Sequence, residues 1–412
     1  MTDLISRLLN LAIAIQQIPA PTFHEAERAE FVRLRFLDEG LADVEMDGTG
    51  NVYARLPGSG HRPELAGRVR RDPAASSPRN TRRVKGESCE KALVVSAHLD
   101  TVFPLGVDLH FEREPGRILA PGIGDNSMGV AGLFGLVWAL RERSLTLPGD
   151  LWLVANVGEE GLGDLRGMKS LVGRFGRCRE QSVERSGPPR PRTGTTPLAY
   201  IVLEGMALGQ IYHRGLGVRR YRITVRTSGG HSWIDYGQPS AIHELTALST
   251  RIAALEPPRN PRTTLNIGVI SGGSSINTIA AEAMLELDLR SEGAETLEAL
   301  AGQVEQIVRA ARRSGVTVEA EIIGQRPSGE LPAENPLVRL AQECLRAVGI
   351  EPLLNTGSTD ANLPLNRGLP SVTIGLTTGA RAHTVHEFIN LAPLEKGLGQ
   401  VLRLVSKIWY IM

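Results

Sequence analysis

Four short apolar runs constrain the fold of this chain more than any other feature. They have the sequences ALVVSA (92–97), LWLVANV (151–157), YIVL (200–203) and SVTI (371–374). Continuous apolar runs of this length are typical of strands covered on both faces, as in parallel sheets. A helix is predicted over 129–143, between the first two runs, and others over 4–17 and 22–37, the last with Thr22 as its N-cap and Glu25 as the capping-box partner. The alternation predicts an α/β fold, with a mostly parallel sheet and helices on both faces.

Residues 218–324 follow a different order of elements. Strands are predicted over 218–226, 263–270, 283–290 and 316–323, and helices over 239–254 and 296–314. The order β-α-β-β-α-β is typical of a ferredoxin-like two-layer sandwich. We therefore expect an α+β domain inserted into a larger one, with the first part of the larger domain at 1–216, the insertion at 217–325 and the second part at 326–412.

Two basic segments stand out against an overall net charge of +1. Segment 61–85 holds eight Lys/Arg and two Asp/Glu (+6), and segment 174–192 holds six Arg and two Glu (+4). Both are rich in Pro, Ser and Gly and lack apolar periodicity, which favours surface insertions. Arginine-rich loops can also bind RNA or a phosphorylated surface, and that alternative stays open. The near-neutral net charge of the whole chain predicts neither a nucleic-acid nor a membrane partner.

The cysteines and the apolar stretches indicate the compartment. Cys89, Cys178 and Cys344 are too few and too far apart for a disulfide framework or a CxxC metal site, which favours reduced thiols. The longest apolar stretch, 129–140, is shorter than a bilayer span, and the N-terminus lacks the features of a signal peptide. We expect a cytoplasmic protein.

Polar side chains follow the predicted strands repeatedly. They are His98 and Asp100, Glu159 and Glu160, Glu204, and His383 and His386, together with Asp125 in a glycine-containing loop before a helix. Ligands in α/β proteins bind at the carboxyl ends of parallel strands. Taken singly, each residue has a structural explanation, such as a turn, a helix cap or a solvated face. Together they predict a metal site, because His, Asp and Glu are ligands that zinc accepts and adjacent buried carboxylates need compensating cations.

Ordered motifs across nearly the whole chain carry a resemblance to a known family. They are SAHLDTVFP (96–104), PGIGDNSMGVAG (121–132), NVGEEGLGDLRGMKSL (156–171), VLEGM (202–206), GGHS (229–232), INTIAAEAMLELDLR (276–290), GSTDANLP (357–364) and AHTVHEF (382–388). The chain resembles the dinuclear zinc peptidase family of glutamate carboxypeptidases, aminoacylases, acetylornithine deacetylases, succinyl-diaminopimelate desuccinylases and tripeptidases. The two basic segments lie outside the resemblance.

The resemblance implies a role for each strand-end residue. His98 and Glu204 would ligate one zinc ion, Glu160 and His383 the second, and Asp125 would bridge both. Glu159 would be the general base, and Asp100 would accept a hydrogen bond from the His98 ring. The peptide bond after Asp125 would be cis. His383 is favoured over His386 because it follows a small residue and precedes Glu387 by four positions, as the family ligand does.

The inserted domain is implied to be a lid and dimerisation domain. His231 would stabilise the oxyanion, reaching the metal site of the partner subunit in a homodimer. The resemblance also implies residues that contact the substrate or line its pocket: Asn277, Arg290, Ser358 and Asp360.

The resulting prediction is a metal-dependent amide hydrolase acting on a small peptide with a free carboxylate, by zinc-bound hydroxide with Glu159 as general base. The two divalent ions are expected to be zinc, with cobalt or manganese as alternatives because similar ligand sets accept them. A deacylase of N-acyl amino acids on the same site is the alternative enzyme. A catalytically inactive binding protein is the alternative from another class, and the intact ligand set argues against it.

Overall fold

The computed structural model describes residues 2–59, 92–175 and 197–412. Within these ranges the chain forms nine α-helices: α1 (Thr2–Gln16), α2 (Ala26–Asp38), α3 (Met128–Glu142), α4 (Arg166–Phe175), α5 (Ala241–Ala253), α6 (Ala294–Ala311), α7 (Pro336–Arg346), α8 (Asn362–Asn366) and α9 (Leu394–Lys407).

The strands of the same ranges are, in chain order, β1 (Ala42–Met46), β2 (Val52–Leu56), β3 (Ala92–His98), β4 (Glu112–Glu114), β5 (Arg117–Leu119), β6 (Asp150–Asn156), β7 (Pro197–Glu204), β8 (Gln210–Gly215), β9 (Gly217–Arg226), β10 (Gly230–His231), β11 (Thr263–Gly272), β12 (Thr278–Ile279), β13 (Glu282–Ser291), β14 (Thr317–Arg326), β15 (Gly329–Glu330), β16 (Leu353–Gly357), β17 (Ser371–Gly375), β18 (Gly379–Ala380) and β19 (Phe388–Asn390).

The main sheet is mixed, with the order β1-β2-β6-β3-β7-β17-β8-β15 and β16 paired to β8. The four central strands, β6, β3, β7 and β17, are mutually parallel. These are the four apolar runs of the sequence. Pairings toward both edges (β1 with β2, β2 with β6, β17 with β8, and β8 with β15) are antiparallel. Outside the centre, β16 pairs with β8 in parallel. The sheet is thus mixed instead of mostly parallel, because the other edge strands lack the continuous apolar runs from which that expectation was drawn.

The chain between the main sheet's strands β8 and β15 forms a separate layer. Its four strands run in the order β11-β13-β9-β14, all antiparallel, and α5 and α6 pack on them. This layer, the inserted unit, has its own apolar core of residues such as Leu245, Leu285 and Val304. β10 and β12 form a two-stranded ribbon beside it, which we call the His231 ribbon.

Helix α3 lies at the centre of the large core. It contacts β3, β7, α1 and α9, and its residues are buried from Met128 to Leu140. By length and composition the stretch Ile123–Glu142 could cross a bilayer, but 94% of the apolar 18-residue part of it is buried inside the protein. A core helix satisfies the same criteria, and the packing of α3 is that of a core helix.

Helix α2 begins four residues later than the sequence predicts. It starts at Ala26, and Thr22 is not its N-cap. The Thr22 hydroxyl instead donates to the Asp100 carboxylate at 2.9 Å. The side chain of Glu25 pairs with Arg166 at 2.7 Å instead of forming a capping box. Both side chains that the local pattern assigns to the helix cap therefore bind residues that are distant in sequence.

Most of the two basic segments, with Cys89 and Cys178, falls outside the described residues. Arg174 is an exception: it belongs to the last turn of α4, with its guanidinium 4.3 Å from the ring centre of Tyr53. The third cysteine, Cys344, is buried in α7.

Candidate metal centre

The parallel centre of the main sheet brings its polar strand ends together. His98 is the last residue of β3 and Glu204 the last of β7. Glu159 and Glu160 follow β6, which is parallel to β3, with His98 directly opposite Asn156. Because the carboxyl ends of parallel strands share one edge of a sheet, the fold itself gathers these side chains.

Asp125 lies between two histidines. Its Oδ1 is 3.1 Å from Nε2 of His98, and its Oδ2 is 3.0 Å from Nε2 of His383. A second carboxylate faces each ring: Glu204 Oε2 lies 3.7 Å from the His98 nitrogen, and Glu160 Oε1 lies 3.2 Å from the His383 nitrogen. Ligand atoms around one tetrahedral zinc lie about 3.4 Å apart. The donor set thus fits bound divalent metal, and ligand atoms of His98, Asp125 and Glu160 all lie within 4.8 Å of one another.

The other candidate histidine is not part of this cluster. His386 is exposed, and its backbone N–H donates to the Thr384 hydroxyl at 3.3 Å. The structure places His383, three residues earlier, beside Asp125.

The loop that presents Asp125 is held tightly against the end of β7. The amide of Asn126 donates to the Leu203 carbonyl at 2.8 Å and accepts from the Gly205 N–H at 3.0 Å. A Cβ at Gly205 would lie 2.1 Å from the Gly124 carbonyl oxygen, so this approach requires glycine. The Asp125–Asn126 peptide bond is cis, as the resemblance implied. These contacts fix Asp125 and Glu204 relative to each other.

Asp100 acts mainly on the neighbouring loop. Its carboxylate accepts the backbone N–H groups of Glu159 and Glu160, each at 2.9 Å. The His98 Nδ1 lies 3.1 Å from the Asp100 backbone carbonyl and 3.6 Å from its carboxylate. The nearer acceptor for the His98 ring is thus the backbone carbonyl of Asp100, whose carboxylate accepts the two amides.

Glu159 is buried and paired with an arginine that the sequence did not single out. Arg326 Nη1 lies 2.8 Å from Glu159 Oε1 and 3.1 Å from the Ser358 hydroxyl, and its Nη2 also donates to the Glu159 carbonyl. Both side chains of the ion pair are less than 10% exposed. Arg326 ends β14, so the inserted unit supplies a cation to the candidate base.

Two further contacts join the inserted unit to the loop that carries Glu159. Arg220 donates to the Gly161 carbonyl at 2.6 Å, and the Gln325 N–H donates to the Asp164 carboxylate at 2.6 Å. The loop after β6 is therefore held from the β9–β14 side as well as by Asp100.

Asp360 is a further buried carboxylate, beside Asn156 at the end of β6. It is completely buried, and its Oδ2 accepts from the Asn156 amide at 2.7 Å. Its Oδ1 has no hydrogen-bond partner among the described residues. Asp360, which the resemblance assigns to the lining of the substrate pocket, is thus buried, whereas Ser358 beside Arg326 is half-buried.

The electrostatics of the cluster favour bound positive charge. Burial opposes protonation of His98, but Glu204 and the other neighbouring carboxylates raise its pKa well above the ordinary value. Hydrogen bonds to Asp125 and Glu160 raise the pKa of His383 to about 10. Burial alone would raise the pKa of Asp125, but the two histidines hold it well below its usual range. A proton on each imidazole thus supplies the charge that a metal ion would supply.

Three further carboxylates in or beside the cluster have raised pKa values, because burial disfavours their charged forms. Burial raises the pKa of Glu204 to about 7 and that of Asp360 to about 6. Burial also raises the pKa of Glu159 well above its usual value, against the opposing charge of Arg326. Divalent cations would reverse these shifts for the groups they touch.

Glu387 is a buried carboxylate that the sequence reasoning used only as a motif marker. It accepts three backbone N–H groups of the Asp125 loop: from Gly124 at 2.6 Å, from Asp125 at 2.9 Å and from Gly122 at 3.3 Å. Burial raises its pKa to about 7, against these hydrogen bonds. Its spacing of four from His383 was the available signal; for Arg326 the sequence offers none.

The predicted residues of the inserted unit are not gathered into the cluster. His231 lies on the His231 ribbon, and Asn277 immediately precedes the second strand of that ribbon; both are exposed. The N–H of Ser232 donates to the Asn277 carbonyl at 3.0 Å. The His231 Nδ1 accepts the N–H of Trp233 at 3.2 Å. Arg290, 41% exposed, pairs with Asp288 at 2.7 Å. In the described ranges, the hydrogen bonds of these side chains stay within the inserted unit.

The fold, the cluster and the ordered motifs together define a class of metal-dependent hydrolases, and comparison with known proteins confirms it. Residues 94–407 match the model of peptidase family M20/M25/M40. The chain belongs to that family, which supports metal-dependent hydrolysis of peptide or amide bonds.

Relatives span the whole chain. The chain is 25% identical over 410 residues to the uncharacterized protein YqjE of Bacillus subtilis, covering 97% of this chain and 98% of that protein. A tripeptidase from Staphylococcus aureus shares the fold with a TM-score of 0.73 at 20% identity, covering 98% of both chains. The Bacillus subtilis YXEP protein, described as a dinuclear metal-binding peptidase, shares it with a TM-score of 0.63 at 16% identity over both whole chains.

Proposed function

We propose that the protein hydrolyses an amide bond in a small peptide with a free carboxylate, using two zinc ions held by His98, Glu204, Asp125, Glu160 and His383. The single observation that carries the proposal is the position of Asp125: its two oxygens each face one histidine, and each of these histidines also faces one further carboxylate. Two divalent ions bound there would polarise the scissile carbonyl and lower the pKa of a water molecule.

Glu159 is the group we assign to proton transfer. It lies next to a ligand, is not itself within the Asp125 cluster, and has a pKa raised by burial. A carboxylate of raised pKa can take a proton from the attacking water and return it to the leaving nitrogen near neutral pH. Arg326, on one carboxylate oxygen, orients it and leaves the other oxygen for this exchange.

His231 is suited to donate a hydrogen bond to the developing oxyanion. Its Nδ1 accepts the backbone N–H groups of Trp233 and Ile234, at 3.2 and 3.4 Å. An acceptor at Nδ1 requires the proton at Nε2, so the exposed ring nitrogen is a donor. Stabilisation of the new negative charge is the role the resemblance implies for this position.

We propose a homodimer formed through the inserted unit. β11 is an edge strand of its sheet, and Val269 and Ile270 expose apolar side chains along it. An exposed, partly apolar edge is a surface that strand pairing with a second copy would cover. Because His231 does not contact its own chain's cluster, a second copy would supply it.

The test combines metal analysis with hydrolysis assays of wild type and Glu159→Gln. The panel contains di- and tripeptides and N-acyl amino acids. We expect about two zinc ions per chain in both proteins and, in the variant, turnover lower by about 10²–10⁴-fold, because the proton transfer is lost while the five proposed ligands remain. Glu286→Gln, on the exposed face of the inserted unit, is the control and should match wild type.

The panel also separates the two enzyme classes. Preference for tripeptides or dipeptides supports the peptidase, and preference for N-acyl amino acids identifies a deacylase on the same site. A protein that binds no divalent metal after reconstitution would overturn the mechanism.

A further inference from the structure

Glu387 connects two parts of the candidate centre that are 262 residues apart in sequence. It immediately precedes β19, whose Phe388 pairs with Leu119 of β5. β5 leads directly into the 121–125 loop, and the N–H of Ala120 donates to the Glu387 backbone carbonyl at 2.9 Å. The side chain of Glu387 therefore lies where the His383 segment and the Asp125 loop meet.

Three backbone N–H groups of one loop converge on this carboxylate. Oε1 accepts those of Gly124 and Asp125, and Oε2 accepts that of Gly122. The side chain is completely buried, and none of the ion pairs in the described ranges involves Glu387. A buried carboxylate without a cationic partner is costly unless hydrogen bonds compensate it, so its placement here calls for a function.

The orientation of Asp125 is what this carboxylate controls. The two oxygens of Asp125 face different histidines. In the absence of cations, the negative charges of Glu160 and Glu204 repel the Asp125 carboxylate in this position. The backbone N–H of Asp125 is itself one of the donors to Glu387, so the loop is fixed at the residue whose side chain matters.

We propose that Glu387 is a positioning residue of the metal centre: it holds the 121–125 loop in register with the His383 segment so that Asp125 faces both metal positions. The inference rests on the proposed function. It predicts that Glu387 contributes to metal affinity through reach and geometry, in addition to any effect of its charge.

Two variants separate geometry from charge. Glu387→Gln keeps the length but replaces one acceptor oxygen with an NH₂ group, which would face backbone N–H donors. Glu387→Asp keeps the charge but is shorter by one methylene, so it cannot reach all three donors. If geometry is the main contribution, both variants lose affinity; if charge alone acts, Glu387→Asp retains it.

Asp47→Asn is the matched control. Asp47 lies in the turn between β1 and β2, and its Oδ1 accepts three backbone N–H groups, those of Thr49, Gly50 and Asn51, at 2.8–3.0 Å. The control removes a carboxylate with the same kind of hydrogen bonding from a turn that supplies no metal ligand. We expect it to lower stability equally with and without metal.

The experiment measures Zn²⁺ affinity by chelator competition, and the unfolding midpoint with and without Zn²⁺. We expect the affinity to fall about 10–100-fold in both Glu387 variants and to stay at the wild-type value in Asp47→Asn. The midpoint gain on adding Zn²⁺ should shrink in the Glu387 variants alone.

Wild-type affinity in Glu387→Asp, whatever the result for Glu387→Gln, would overturn the inference. If Glu387→Gln does not fold, Glu387→Asp still decides. A wild-type protein that binds no Zn²⁺ would overturn the proposed function and the inference together, whereas tight wild-type binding with unaffected variants overturns the inference alone.

Discussion

The metal end of the main sheet and the His231 ribbon both hold residues that the resemblance assigned to one site, yet they are built in opposite ways. At the sheet end, side chains such as His98 and Asp100 are buried and restrained by several partners. On the ribbon, His231 and Asn277 are exposed and bonded to their own loop. One half of the proposed site is therefore preorganised within the chain, whereas the other half, in the dimer that we propose, would be completed by a second copy.

The two regions also differ in how their charges are paired. Arg326 and Glu159 form a buried pair in the centre. The outer face of the inserted unit instead carries a series of exposed pairs, of which Arg222 with Glu286 is one. Removing charges from the first region should therefore have large consequences, and removing them from the second should have small ones.

Asp125→Ala should have the largest effect, because it removes the group shared by both metal positions. We expect the loss of bound zinc and of detectable hydrolysis, with the fold retained in the absence of metal. Metal analysis and circular dichroism check this. Full zinc content in the variant would show that the sheet end is not a shared two-metal site.

His231→Ala should lower kcat about 10²–10³-fold, the usual effect of losing one oxyanion donor, while zinc content stays constant. Mixing this variant with Asp125→Ala tests whether the residue acts between subunits. Random pairing gives one intact site in each mixed dimer, so about a quarter of wild-type activity should return. No recovery from a mixture shown to contain mixed dimers would place His231 in its own chain's site.

Arg326→Met should destabilise the protein by about 3–5 kcal/mol, because it leaves the Glu159 carboxylate buried without its cation. Chemical denaturation measures this. The double variant Arg326→Met with Glu159→Gln should recover part of the loss, since it removes the unpaired charge. Equal stability of the single and double variants would show that the pair is not energetically coupled.

The metal-free protein should become less stable as the pH rises from about 5 to about 10. The pKa of His383 is raised to about 10, so its contribution is complete below its ordinary pKa of 6.5 and is lost as the pH rises through 10. The pKa of Glu204 is raised to about 7, and the stability of its protonated form is lost as the pH rises through that value. Zinc affinity should change in the opposite direction, because the ligands must be deprotonated. Thermal unfolding with and without chelator checks both signs.

Arg222→Ala should have the smallest effect. The pair that it breaks lies on the exposed face of the inserted unit, where solvent screens the charges. We expect unchanged zinc content and turnover, and an unfolding midpoint lowered by at most about 2 °C. A larger loss would mean that this face is covered, as a dimer contact would cover it.

The sequence predicted the parts of the centre that follow from strand patterning. The apolar runs before His98 and Glu204 became β3 and β7 within a few residues, and the ordered motifs identified the family. What it could not predict depends on contacts between distant segments. Thr22 donates to Asp100, and Glu25 pairs with Arg166, instead of capping α2. A local sequence pattern cannot reveal such distant partners. Arg326 lies 167 residues from Glu159, and nothing near it in sequence marks the pairing.

The junctions of the two long segments outside the described ranges have a consequence for how this protein can vary. β2 ends at Leu56 opposite Leu151, β3 begins at Ala92 opposite Asp150, and β7 begins at Pro197 opposite Ala92. All these points lie at the amino edge of the parallel centre, whereas His98 lies six residues along β3, about 20 Å away. Changes of length or composition at these junctions would therefore begin at the end of the parallel strands opposite the candidate metal centre.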